Sequence, residues 1–266
     1  MLGVRGGGKD SPKDAVTEHA TTLASVRAMR EKRESGKFSR YFPDCSDECD
    51  PTSSDVEKHR GMCRVLYQKH LAWFQATERQ RLMIAANRIG KTQAGAYETT
   101  AHLTGQYPHW WKGRRYEEPV SWWAAGDTSK TARDIIQLEL LGPMNAIGTG
   151  FLPRHVIEHF SRKPGVPDGV ETIWIKHVEK QHGAPCISEL GLKSYDQRRE
   201  SFQGTKKHGI WLDEEPPEDI HVECLLRTAA TDDFQGGTLM LTFTPLQGMT
   251  PLVLSFLPGG QMPVDG

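Results

Sequence analysis

The sequence predicts an α/β fold, a mainly parallel sheet with helices on both faces, preceded by a helical N-terminal extension. Three observations carry that prediction. Apolar runs suited to strands alternate with helical stretches from about residue 61 onward. The short apolar run Arg81-Leu82-Met83-Ile84-Ala85 passes directly into Ala86-Asn87-Arg88-Ile89-Gly90-Lys91-Thr92 and an alanine-rich helical stretch closed by Gly105. Further along, a second apolar run, Ile210-Trp211-Leu212, ends in Asp213, Glu214 and Glu215.

A chain of 266 residues holds one large domain or two small ones and can bury a substantial core. Its 37% hydrophobic and 25% charged content matches a soluble globular protein. No stretch approaches the roughly 18 uninterrupted apolar residues that a membrane-spanning helix needs, so no membrane partner is expected. Met1 to Lys9 lacks the apolar core of a signal peptide. Five cysteines, an odd number, argue against a disulfide framework and for a reducing compartment. The net charge of −1 supplies no global basic field, so any contact with DNA must come from local clusters or from assembly.

Taken in order, residues 1–12 are rich in glycine and charge and read as disordered. Val16, Leu23, Val26 and Met29, spaced among charges, fit one amphipathic helix between Asp14 and Lys37. Residues 38–60 carry Pro43, Pro51 and many Asp and Ser, and read as irregular. Gly61 to Ala76 reads as a second helix, so the organisation is an extension over 1–60 and an α/β domain over 61–266. After the helix Lys91 to Leu103 comes a loop with Trp110, Trp111, Lys112, Arg114 and Arg115, then a strand over Pro119 to Ala125. A helix capped by Thr128 or Ser129 runs to about Leu141. Val170 to Val178 and Ile187 to Lys193 are two strands joined by a polar loop. Pro217 to Thr228 is a helix and Leu239 to Thr244 a last apolar strand.

The chemistry sits in the two acidic and glycine-bearing runs. Ala85 to Thr92 has the form of a phosphate-binding loop opening a helix, with Ala85 where the usual pattern has its first glycine. Such a turn aims backbone N–H groups at phosphate oxygens, Lys91 reaches the β- and γ-phosphates, and the Thr92 hydroxyl ligates Mg²⁺. At the end of the acidic strand, Asp213 can hold the Mg²⁺ and Glu214 can take a proton from an attacking water. Glu215 competes for that base role, or stabilises the next helix by its charge. Together the runs describe a P-loop NTPase of the ASCE type that hydrolyses ATP. Arg88, inside the loop, either reaches the γ-phosphate or forms a structural salt bridge.

Several stretches carry a resemblance beyond the class. They are Arg64-Val65-Leu66-Tyr67-Gln68-Lys69-His70-Leu71-Ala72-Trp73-Phe74-Gln75, the Ala85–Thr92 loop, Trp123-Ala124-Ala125-Gly126-Asp127-Thr128, Phe202-Gln203-Gly204-Thr205, Trp211-Leu212-Asp213-Glu214-Glu215-Pro216-Pro217 and Leu241-Thr242-Phe243-Thr244-Pro245-Leu246. In this order the chain resembles, over about residues 64–260, the large terminase subunit of tailed double-stranded DNA phages, in the group related to short-tailed phages. The resemblance implies an ATPase that docks on the portal protein of a procapsid as a homo-oligomeric ring and pumps double-stranded DNA inward. It implies a small terminase subunit as partner, and the host cell cytoplasm as the place of action. It also implies an adenine-recognising role for Gln75, Glu214 as base, Arg88 acting in cis, and Arg199 as a finger entering a neighbouring subunit's site. The last strand would lie between the loop strand and the acidic strand, where Thr242 and Thr244 sense the γ-phosphate. Family members carry a C-terminal nuclease domain, and no acidic cluster of that kind is expected in this chain.

Cys45, Cys49, His59 and Cys63 form C-x₃-C-x₉-H-x₃-C, a candidate Zn²⁺ set whose alternative is three incidental reduced cysteines. Two other readings of the whole stand beside the motor. A helicase-like motor would need a second RecA-like domain, for which the chain is short. A truncated fragment would bind nucleotide without productive packaging.

Overall fold

The computed structural model describes residues 36–42, 63–64, 66–178, 186–231, 234–257 and 259. Among the described residues, seven strands form one sheet: β1 (Gln80–Ile84), β2 (Ser121–Gly126), β3 (Ile157–Arg162), β4 (Val170–His177), β5 (Cys186–Ser194), β6 (Gly209–Asp213) and β7 (Thr238–Phe243). Their spatial order is β1-β7-β6-β2-β5-β4-β3. The five strands from β1 to β5 in that order run parallel, and β4 and β3 continue the sheet antiparallel. The last strand therefore does lie between the loop strand and the acidic strand.

Burial follows from that order. β6 and β7 are buried at every residue and read as unbroken apolar runs, as parallel strands covered on both faces do. Alternate residues feed two cores. Trp211 and Met240 point to one with α2 (Lys91–Thr104), while Ile210, Leu212, Leu239 and Leu241 point to the other with α4 (Glu218–Arg227). Numbered before these, α1 is Gln68–Gln75. Between them, α3 covers residues 129–141 and includes a π stretch, Ala132–Gln137. Past β7, α5 is Pro251–Ser255.

The helix ends are set by their residues. The Thr128 hydroxyl accepts from the Thr131 N–H and so caps α3, as expected. α2 starts after Gly90 and stops at Gly105, both with positive φ (87° and 68°). Inside α2, a Cβ on Gly95 would collide with the Trp211 ring, so glycine there lets the helix approach the sheet. β1 and α2 are also tied by a buried ion pair, Arg81 to Glu98, with Arg81 donating to the Trp73 carbonyl at 2.8 Å.

Three expectations change in detail. Among the described residues of the helix expected over 61–76, those from Gln68 to Gln75 are helical, as α1, and Tyr67 before them leaves the helical region. β3 was not expected: it is an edge strand, largely exposed, with little apolar content to mark it. Residues 36–42, assigned by sequence to the extension, pack on the domain's core. There Phe42 is buried against Phe74 (centroids 5.3 Å apart), and Phe38 stacks on Tyr97 at 4.7 Å. Cys45, Cys49 and His59 lie outside the described residues, while Cys63 is buried and its Sγ accepts from the Leu66 N–H at 3.5 Å.

Candidate active site

The loop between β1 and α2 is built for backbone exposure. Arg88 and Gly90 have positive φ (66° and 87°), and Ala85 does not, which is why alanine serves at its position. Lys91, the first residue of α2, folds back under the loop. Its Nζ donates to the carbonyls of Ala85 (2.9 Å) and Ala86 (2.8 Å) and to Thr244 Oγ1 (2.9 Å). Burial lowers the Lys91 pKa, and the nearby Glu214 and Asp213 carboxylates oppose that shift. Thr244 Oγ1 also lies 2.9 Å from the Ala85 carbonyl and 2.8 Å from Asn87 Oδ1, so the end of β7 is stitched to the loop.

The next residue of α2 faces the end of β6. Thr92 Oγ1 is 3.2 and 3.1 Å from the two Asp213 carboxylate oxygens. Asp213 is 4% exposed, and burial pushes its carboxyl up to about 7, against hydrogen bonds from Thr242 and Thr92. The Thr242 hydroxyl donates to Asp213 Oδ1 at 2.7 Å while accepting from Trp211 Nε1 at 2.7 Å. Because an indole N–H can only donate, it fixes the direction of the threonine proton. Oxygen donors converging in this way suit a hard cation such as Mg²⁺.

Glu214 is exposed, and its backbone is left-handed (φ 71°), which costs a glutamate about 1–3 kcal/mol that its surroundings must offset. Partial desolvation at the cleft wall raises its carboxyl pKa, Lys91 opposes the rise, and Asp127 adds to it. With Asn87, Arg88, Gly90, Lys91, Thr92, Gln93, Asp213 and Thr242, it lines a cleft of about 290 Å³. Glu215 points elsewhere, its carboxylate accepting from the Thr250 hydroxyl at the start of α5. A larger neighbouring cleft, about 600 Å³, is lined by Asp127, Glu215, Glu218 and His221 among others, and no lysine or arginine among the described residues lines it to hold phosphate.

The remaining candidates are placed less centrally. Arg88 is exposed at the cleft and forms no ion pair among the described residues, so the structural salt bridge is not found there. Gln75 ends α1, half-buried, and is not among the cleft's lining residues. Arg199 is held by Glu223 of α4, Nε to Oε2 at 3.0 Å, and Arg227 pairs with the same buried carboxylate at 3.1 Å. Two residues at the site had no signal in the sequence. Tyr195 reaches the carbonyls of Asp213 and Glu214 across a separation of 18 and 19 residues, and Trp211 reads simply as an apolar strand residue.

A strand, a phosphate loop and a helix, with a threonine and a second strand's aspartate facing one cleft, define a P-loop NTPase on an α/β sheet. The chain belongs to the terminase large-subunit family: residues 82–261 match the family described as terminase large subunit, T4likevirus-type, N-terminal. It is 36% identical over 193 residues to the large terminase subunit of Salmonella phage P22, a match covering 67% of this chain and 38% of that protein. The chain thus spans well under half the length of that relative. Among solved structures it is similar to the Thermus phage P74-26 large terminase ATPase domain (17% identity, TM-score 0.43, covering 67% of this chain and 68% of the other). It is also similar to the large terminase of the HK97 bacteriophage (14%, TM-score 0.43, 80% and 37%). A third is a large terminase from another thermophilic bacteriophage, solved in complex with ADP (15%, TM-score 0.41, 66% and 37%).

Proposed function

We propose that this chain is the ATP-hydrolysing motor portion of a terminase large subunit, which drives double-stranded DNA into a procapsid in the host cytoplasm. The observation that carries the reading is the convergence of Lys91, Thr92, Asp213 and Glu214 on one cleft. In it, Lys91 and the loop N–H groups bind the phosphates, with Arg88 at the γ-phosphate end. Thr92 and Asp213 would hold Mg²⁺, which neutralises phosphate charge when bound. Glu214 accepts the proton of the attacking water. Glu215, the other candidate, is engaged with Thr250. Gln75 recognises adenine.

Thr244 reports the state of the γ-phosphate. It takes one of the three hydrogen bonds of Lys91, and a bound phosphate draws that ammonium away. Arg199 serves as the trans finger of a ring docked on a portal protein, with a small subunit as further partner. Its pair with Glu223 is half-exposed, and Arg227 keeps Glu223 paired when Arg199 leaves.

The test separates binding from chemistry. Glu214→Gln should hold ATP with Mg²⁺ as tightly as the wild type while hydrolysing it slower by about 100-fold or more. Wild-type hydrolysis by Glu214→Gln would overturn the base assignment.

A further inference from the structure

Glu214 lines the cleft with its backbone in the left-handed region, φ 71°. Glutamate has no short polar side chain to stabilise that conformation locally, so neighbouring groups must hold it. Two do. The Glu214 N–H donates to the Thr242 carbonyl at 3.1 Å, and the Tyr195 hydroxyl donates to the Glu214 carbonyl at 2.9 Å, with the Asp213 carbonyl at 3.2 Å. The first bond continues the pairing of β6 with β7, while the second comes from outside both strands. Tyr195 is buried, in the same core cluster as Ile210 and Leu212 of β6, with its ring 6.5 Å from that of Phe202.

The seat of Tyr195 is itself built. It follows β5 and opens a turn that two bonds close: Ser194 N–H to Gln197 Oε1 at 3.0 Å, and Arg198 N–H to the Tyr195 carbonyl at 2.9 Å. Phenylalanine would fill the same space without the hydroxyl, leaving the Glu214 peptide without its outside partner. That peptide could then turn towards the right-handed region and swing the carboxylate away from the phosphates.

We propose that Tyr195 is a positioning residue for hydrolysis: its hydroxyl locks the left-handed backbone of Glu214 so that the carboxylate meets the attacking water. This rests on the reading of Glu214 as the base. The locking role predicts a loss confined to chemistry, because the Tyr195 hydroxyl meets the backbone carbonyls of Asp213 and Glu214 rather than the side chains assigned to Mg²⁺ and phosphate.

The test measures single-turnover ATP hydrolysis and nucleotide Kd separately, in the full chain, for Tyr195→Phe, Gln197→Ala, Glu214→Asp and Tyr195→Phe/Glu214→Asp. Tyr195→Phe should slow hydrolysis about tenfold or more, with Kd changed less than about twofold. Gln197→Ala, on the exposed side of the turn, should give a smaller loss with the same split. In the Glu214→Asp background, where the carboxylate is already displaced, Tyr195→Phe should cost less than it does in the wild type. Wild-type hydrolysis by Tyr195→Phe, or losses that multiply in the double variant, would overturn the lock. If Tyr195→Phe fails to melt cooperatively, Gln197→Ala decides: a wild-type rate overturns the lock, and slowed hydrolysis at unchanged Kd supports it. Wild-type hydrolysis by Glu214→Gln removes the base reading itself, an outcome distinct from failure of the lock.

Discussion

At the scale of single residues, the site is held at a cost to stability. The Asp213 carboxyl is pushed up to about 7 by burial, so the folded chain binds its proton more tightly than the unfolded chain, whose carboxyl sits near 3.8. The sign follows: with no metal or nucleotide, stability falls as pH rises from about 4 to about 7 and stays reduced above that. Each tenfold change in proton affinity is about 1.4 kcal/mol, so the total is a few kcal/mol. Asp213→Asn should therefore melt several degrees above the wild type at pH 8 without ligand, and the gap should close towards pH 4 in thermal melts. Equal melting at pH 8 would contradict this account of the buried carboxyl. The same variant should lose Mg²⁺-dependent hydrolysis. Lys91, Thr92, Asp213 and Glu214 were legible in the sequence because each sits at a fixed offset within a short local pattern. Tyr195 was not, since its contact depends on how β5 and β6 are brought together.

At the scale of elements, two pairings decide whether the loop is presented correctly. The Arg81–Glu98 pair between β1 and α2 is almost wholly buried (5% and 1% exposed), and burial, which alone would raise the Glu98 pKa, is outweighed by Arg81 and His102, leaving it lowered. Removing one partner strands the other charge, so Glu98→Ala should cost about 3–5 kcal/mol in denaturant unfolding. A loss under about 1 kcal/mol would show that the pair does not tie β1 to α2. Arg199→Ala should behave differently. Half-exposed, and with Arg227 left on Glu223, it should cost less than about 1 kcal/mol. It should nevertheless abolish a rise of ATPase rate per chain with protein concentration or portal; a rise that survives in Arg199→Ala would sink the trans role. Helix α2 was read to within one residue of its end because Gly90 and Gly105 punctuate it. The edge strand β3 escaped notice because exposed polar residues carry no apolar pattern.

At the scale of the molecule, the parallel sheet and its alternation with helices were legible from the apolar runs, and the position of β7 followed from the resemblance. No local pattern states that a strand 29 residues after β6, measured from Asp213 to Thr242, inserts between β1 and β6. That insertion places Thr242 on Asp213 and Thr244 on Lys91, so side-chain hydrogen bonds join the β1–α2 loop, the end of β6 and the end of β7. The measurement that tests this most directly is phosphate release from ATP by the purified chain, wild type against Lys91→Ala, with and without Mg²⁺ and double-stranded DNA. The wild type should release phosphate slowly and only with Mg²⁺, and Lys91→Ala should neither bind nucleotide nor release phosphate above background. Release that persists undiminished in Lys91→Ala, or a wild-type chain that binds no nucleotide, would contradict the assignment of the β1–α2 loop as the nucleotide site.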